Sequence, residues 1–238
     1  MHIINLSIEE GIFPCKLKIA RVTPIFKGGD KDKAEHYRPI SILPTITKIF
    51  ERHIANHLNK YLSKYNLLHK AQSGFREKHS CQTALIHLID QWIMSIDNEN
   101  MIGTIFLDLK KAFDLVDHSV LIYKLKLLNF SQQSLRWFKS YLQNREQIVK
   151  VGNLQSSSQK VFTGVPQGSI LGPLLFIIYI NDLPLYAKNC SIDMYADDAT
   201  MHTHSKNLTE IESNRQGDLS GIEKWCTHNN MALKAEGP

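Results

Sequence analysis

The sequence predicts an α+β fold with a mostly antiparallel sheet, and three observations carry that expectation. Apolar residues recur at helical spacing over 45–62 (Ile46, Ile49, Phe50, Ile54, Leu58) and over 83–96 (Leu85, Leu88, Ile89, Trp92, Ile93). Short β-branched runs bounded by Gly, Pro, Asp or Ser occupy 18–26, 101–107, 147–151 and 160–165. Two more, 191–195 and 199–203, flank Ala196-Asp197-Asp198 and read as a hairpin with two acids at its tip. Strand, helices, two strands, helix and hairpin is an α+β order.

In order along the chain, a short helix opens the sequence and a strand follows over 18–26. Lys27-Gly28-Gly29-Asp30 makes a turn, a charged loop runs to His36, and Pro39 and Pro44 punctuate the chain before the helix that starts at Thr45. Gly74 breaks the chain ahead of the second long helix. A second lobe starts near Met101, whose apolar run ends on Asp108. Helices are expected over 120–128 and 135–142, then strands over 147–151 and 160–165 joined by Ser156-Ser157-Ser158. Residues 168–183 predict a buried helix reached through Val165-Pro166-Gln167-Gly168, and 208–229 predict the last helix. The division expected is a subdomain over 1–100 and another over 101–238.

Composition sets bounds. The chain has 238 residues, 43% hydrophobic and 21% charged, which excludes disordered, collagen-like and coiled-coil classes. The longest apolar run, Leu174 to Ile180, is far short of the roughly 18 residues of a membrane span, so no membrane partner is expected. Lysine and arginine number 28 against 23 acids, a net +5 that suits a polyanion but is weak evidence alone. Cys15, Cys81, Cys190 and Cys226 are widely spaced, which argues against zinc and a disulfide framework and for a reducing compartment. Glu9 and Glu10 and the lack of an early basic run argue against a secretory signal.

The informative feature is Asp108 closing one strand and Asp197-Asp198 at the hairpin tip. If those strands are neighbours, the acids converge, and converging carboxylates repel unless a cation sits among them. Hard oxygen donors without nearby His or Cys favour Mg²⁺ or Mn²⁺ over zinc. Two such ions could serve an in-line phosphoryl transfer. Asp-Asp at a turn is also ordinary turn chemistry, and the residues alone leave both readings open.

Five blocks in order bear on that choice: 21–30 (Arg-Val-Thr-Pro-Ile-Phe-Lys-Gly-Gly-Asp) with Tyr37-Arg38-Pro39-Ile40-Ser41; His69-Lys70-Ala71-Gln72-Ser73-Gly74-Phe75-Arg76; 106–114 (Phe-Leu-Asp-Leu-Lys-Lys-Ala-Phe-Asp); Gly164-Val165-Pro166-Gln167-Gly168-Ser169; and Tyr195-Ala196-Asp197-Asp198. With them the chain resembles the reverse transcriptase domain of non-LTR retrotransposons, especially the jockey-like lineage, over about 19–233. The resemblance implies a right-hand polymerase, with fingers over 1–100, a palm over 101–238 and no thumb. It implies RNA-directed DNA synthesis: a primer 3′-hydroxyl attacks the α-phosphate of a deoxynucleoside triphosphate, with an RNA template, a DNA primer and two Mg²⁺, or Mn²⁺ in their place.

By the same resemblance Asp108 and Asp197 hold both ions, Asp198 completes the acidic cluster, and the Leu109 carbonyl is a further ligand. Phe113 would lie under the incoming sugar and exclude a 2′-hydroxyl by a clash; its rival reading is a core aromatic. Lys27 and Arg38 are the candidates for gripping the triphosphate, and Lys111 and Ala112 for donating backbone amides to it from the first turn after the strand. Gln167 would hydrogen-bond near the sugar and Gly168 would let backbone approach the template–nucleotide pair, although a simple helix start also uses Pro and Gly. Arg76 would touch template backbone, and Tyr195 lies on the template and primer side.

The family pattern near the C-terminus is met by Trp225-Cys226, Asn229-Asn230 and Leu233, but Lys234 stands where Asn is expected, and the family's later lysine, its candidate proton donor to pyrophosphate, does not appear. Other readings remain: a truncated non-catalytic remnant that binds nucleic acid, an RNA-synthesising enzyme on the same palm, or a purely structural domain. Nuclear localisation is expected by family analogy alone. His53 and His57, and His202 and His204, lack the further ligands of a zinc site.

Overall fold

The computed structural model describes residues 2–234. In chain order its first elements are α1 (His2–Glu10), β1 (Ile19–Phe26), β2 (Tyr37–Ile42), α2 (Thr45–Lys64), α3 (Cys81–Asp97), β3 (Met101–Asp108), α4 (His118–Leu127) and α5 (Gln132–Leu142). There follow β4 (Arg145–Val151), β5 (Leu154–Gln155), β6 (Gln159–Val161), α6 (Leu171–Tyr179), β7 (Ser191–Tyr195), β8 (Asp198–Ser205) and α7 (Leu208–His228). The fold is α+β, as the sequence predicts.

Two compact units emerge, one joining the residues up to Tyr65 with Phe113–Leu175, the other joining Asn66–Ala112 with the residues from Phe176 on. These compact units interleave along the chain. Strand β4 pairs in parallel with β1, which ties 145–151 to the N-terminal segment. Helix α3 packs on β3 and β7, which keeps it with the later strands. Both ties are long-range pairings that linear order does not display.

In the first unit the sheet runs β2-β1-β4-β5, with β6 also on β4. A strand was expected over 160–165, but β6 ends at Val161. The next groups bond elsewhere: Thr163 Oγ1 donates to the Asp114 carbonyl at 3.1 Å, Gly164 N to Val116 O and Val165 N to Phe113 O. The core centres on Phe13, whose ring meets Phe50, Trp137 and Tyr141 edge-on at 5.1–5.8 Å. Beside it Glu51, fully buried, accepts from the Tyr141 hydroxyl at 2.6 Å and from Ile170 N at 2.7 Å. Burial pushes the Glu51 carboxyl upward against the opposing pull of Tyr141, Ile170 N and Arg145.

The second unit holds the sheet β3-β8-β7, antiparallel throughout. Helix α7 packs on β3 and β8, and its Trp225, fully buried, donates Nε1 to Asp182 Oδ1 at 2.9 Å. Asp218 on the same helix accepts from the amides of Lys188, Asn189 and Cys190 at 2.7–3.0 Å and so fixes the start of β7. The helix expected over 168–183 is the shorter α6. Ser169 Oγ accepts from Gly172 N at 2.8 Å and sets its start. Beyond Tyr179 the chain turns, with Asn181 bonded to His69 N and Leu67 O, into a 3₁₀ turn, Leu183–Tyr186, containing Pro184. One mostly antiparallel sheet was expected; two sheets form, one with a parallel pair.

Candidate active site

The register of the second unit's sheet decides where the acids lie. Asp108, the last residue of β3, stands directly opposite Asp198, the first residue of β8. Across the hairpin Asp198 is paired with Tyr195, so the turn is Ala196 and Asp197. Asp198 is thus a strand residue and not part of the tip, a correction to the sequence reading. Residues directly opposite on antiparallel strands share a face, with Cβ atoms about 4.5–5.5 Å apart. Two carboxylates in such a pair repel and favour a cation between them.

Both free edges of this sheet are covered at the carboxylate end. On the β7 side, Gln72 bridges Met194 in parallel, with Met194 N bonded to Ala71 O and Ser73 N to Met194 O, each at 2.8 Å. On the β3 side, Leu109 bridges Leu233, with Lys110 N bonded to Ala232 O and Lys234 N to Asp108 O, each at 2.8 Å. Since the Asp108 carbonyl faces residue 234, strand alternation turns the Leu109 carbonyl toward the β8 side, where the acids are.

Gln72 was not singled out from the sequence. It is fully buried, and its Oε1 accepts from Gly74 N at 2.7 Å and from Ala196 N at 3.0 Å. Ala196 has φ of +59°, a left-handed conformation costly for a residue with a Cβ, and the Gln72 bond holds it there. Gly74 is needed because a Cβ would run into the Ala196 nitrogen. The turn carrying Asp197 is therefore held from outside the hairpin. The signal was present, as Gln72 lies inside one of the quoted blocks, but the block's basic residue drew the assignment.

Lys234 Nζ lies 3.3 Å from Asp108 Oδ2, with both side chains about half exposed. An ammonium thus already stands beside one of the two opposed carboxylates, and the donors around it are hard oxygens, so the residues fit a divalent cation. Among the described residues no three His, Cys, Asp or Glu side chains are grouped so as to hold a metal ion by themselves. Further oxygens for an ion must come from groups such as the Leu109 carbonyl or from substrate.

The remaining expected residues divide between the units. In the first, Lys27 N continues the β1–β2 ladder to His36 O at 2.9 Å, and Arg38 pairs with Ile25. The period of two puts Lys27 and Arg38 on one face of that hairpin, both exposed. Phe113 is half-buried, and its carbonyl accepts from Val165 N at 2.9 Å. Gln167 donates Nε2 to Asp114 Oδ1 at 2.8 Å and accepts from Ser41 N through its carbonyl at 2.7 Å. Gly168, at φ +107°, sits where a Cβ would meet the Ser41 carbonyl at 2.7 Å, so within the chain its close approach is to β2.

In the second unit, Lys111 is exposed and Ala112 buried. They lie in a turn, with Lys111 at φ +46°, and not at the start of a helix. Arg76 donates Nη1 to His69 O at 3.2 Å and to Gln72 O at 2.9 Å, bracing the segment that carries Gln72. Tyr195 ends β7 and is 38% exposed. No described helix is long and apolar enough to cross a membrane.

The chain is similar to known proteins both in sequence and in fold. The chain is 34% identical over 232 residues to a probable RNA-directed DNA polymerase from transposon BS of Drosophila melanogaster, covering 94% of the chain and 26% of that relative. It is 34% identical over 242 residues to the RNA-directed DNA polymerase from mobile element jockey of the same organism, covering 98% and 26%. The chain thus spans about a quarter of the length of these relatives. In fold it is similar to apo telomerase from Candida tropicalis (TM-score 0.60, 13% identity, 98% of this chain and 54% of that one). It is likewise similar to telomerase from Candida albicans in complex with a telomeric RNA fragment (TM-score 0.60, 14% identity, 99% and 47%). With residues 27–236 matching the family described as reverse transcriptase (RNA-dependent DNA polymerase), the chain belongs to the reverse transcriptase family.

Proposed function

We propose that this chain is the nucleotidyl-transferring core of an RNA-directed DNA polymerase from a mobile element, acting on an RNA template, a DNA primer and deoxynucleoside triphosphates. The observation that carries the reading is Asp108 directly opposite Asp198 beside the Asp197 turn, in a reverse transcriptase chain.

Asp108 and Asp197 would hold divalent ions, Mg²⁺ or Mn²⁺, with Asp198 and the Leu109 carbonyl completing the oxygen set. Such ions, when bound, neutralise phosphate charge and acidify the attacking hydroxyl. In the transfer, the 3′-oxygen forms a bond to the α-phosphorus, the bond to the bridging oxygen of pyrophosphate breaks, and the hydroxyl proton passes to solvent. The buried Gln72 keeps Asp197 in place by fixing the turn, so little reorganisation is left to the reaction. Lys27 and Arg38 supply positive charge for triphosphate oxygens, the guanidinium as a fork and the ammonium as a point charge. The Phe113 ring excludes a ribose 2′-hydroxyl by its bulk. Arg76 and Tyr195 serve template and primer, and Gln167 and Gly168 the nucleotide pair.

Primer extension on an RNA template with Mg²⁺ tests the reading. The wild-type chain should extend, and Asp108→Asn and Asp197→Asn should each lose about 10³-fold or more, as when charge stabilisation at the reacting phosphate is removed. Extension that is absent, or equal in the variants, favours a non-catalytic nucleic-acid-binding role.

A further inference from the structure

We propose that Lys234 is a tethered cation that holds Asp108 while no divalent ion is bound, and that an ion must displace it, so that this lysine sets the ion concentration the site needs. The proposal rests on Asp108 being an ion ligand, as proposed above.

Three observations converge on it. Leu109 bridges Leu233, which places residue 234 directly opposite Asp108 on the outer side of β3, while Asp198 is opposite Asp108 on the inner side. Lys234, Asp108 and Asp198 therefore form one row across one face of the sheet. The backbone at Lys234 is fixed by its own amide bond to the Asp108 carbonyl, so the lysine is not a passing visitor from a loose tail. Its ammonium reaches Asp108 Oδ2 at 3.3 Å.

Electrostatics gives the row its meaning. Asp198 and Asp108 are like charges in direct cross-strand contact, an arrangement that destabilises a sheet. Lys234 on the other flank offsets that repulsion within the chain. A divalent ion offers the same compensation with twice the charge and prefers carboxylate oxygen, so the two cations compete for Asp108. The pair is half exposed, so the competition is modest and sensitive to salt. Asn, the residue expected at this position from the family pattern, carries no charge to compete.

The test is direct Mn²⁺ titration by electron paramagnetic resonance, together with thermal melts in the presence and absence of Mg²⁺. The proteins are wild type, Lys234→Asn, Lys234→Arg and Asp108→Asn. Lys234→Asn should bind Mn²⁺ about two- to fivefold more tightly at low ionic strength, the scale of an exposed ion pair, and the gain should shrink in 0.5 M-range salt, where screening is strong, of order a few ångströms. Its melting point without metal should fall below wild type, and Mg²⁺ should close the gap. Lys234→Arg should titrate like wild type. The proposal is overturned if Lys234→Asn binds no better than wild type while Asp108→Asn has lost affinity. If instead Asp108→Asn binds as wild type does, the assignment of the ion site itself fails, and this inference with it.

Discussion

Gln72 and Ala196 are joined by a hydrogen bond of 3.0 Å, from the alanine amide to the glutamine side-chain oxygen, that ties the turn carrying Asp197 to a segment more than a hundred residues away in sequence. The same oxygen accepts from Gly74 N, so one buried amide fixes both the clamp and its target. Its Nε2 is buried without a hydrogen-bond partner, an expense tolerated for the sake of the oxygen. Replacing Gln72 with Leu keeps the bulk but leaves two buried amides unpaired. It should cost about 1–3 kcal/mol in thermal melts. If the bond positions Asp197, kcat for primer extension should fall about tenfold or more while KM for the deoxynucleotide moves much less, the split expected when only transition-state geometry is lost. An unchanged kcat in a folded variant removes Gln72 from the positioning role.

Phe113 is held by its backbone, whose carbonyl accepts from Val165 N, so shortening the side chain should leave the loop in place. Phe113→Ala is expected to raise incorporation of ribonucleotides relative to deoxynucleotides by about ten- to hundredfold, the range a single steric hydroxyl contact can discriminate. Competition between labelled ribo- and deoxynucleotides on one template reads the ratio directly. No change in the ratio assigns the ring to packing alone.

Asp218 should make a pH-dependent contribution to stability. Burial by itself would raise its carboxyl, but the backbone amides of Lys188, Asn189 and Cys190 outweigh that and hold it below its usual value. A depressed folded-state value adds stability that is fully present above the unfolded value of about 3.9 and is lost as pH falls through the folded one. Asp218→Ala should therefore cost about 2–4 kcal/mol at neutral pH, since three amides lose their acceptor. The gap between wild type and variant should narrow in melts taken below about pH 4. A gap that stays constant down to the acid limit contradicts this account.

In the first unit the short bond from the Tyr141 hydroxyl to Glu51 joins two fully buried groups. Tyr141→Phe removes one donor from a carboxylate that burial already disfavours, and should cost about 1–3 kcal/mol by denaturant titration. The Glu51 carboxyl should then rise further, because the hydroxyl now favours its charged form. The folded protein would consequently take up a proton at higher pH than wild type, visible as a shifted pH dependence of stability with greater loss as pH increases.

Local pattern alone determined much of this protein. The periodicities of 45–62, 83–96 and 208–229 became α2, α3 and α7, and the apolar run ending on Asp108 became β3, because burying one face of a helix or strand imposes a repeat that sequence displays. The family blocks singled out the acids proposed above as ion ligands. Only the tertiary structure decided that Asp108 faces Asp198, that Asp198 belongs to the strand and not the turn, that β6 stops at Val161, and that the units interleave along the chain. It also supplied Gln72 and Lys234 with their contacts, since each meets a partner far along the chain. Hydrogen bonds and charges between distant residues leave no period behind them, so folding alone reveals who answers whom.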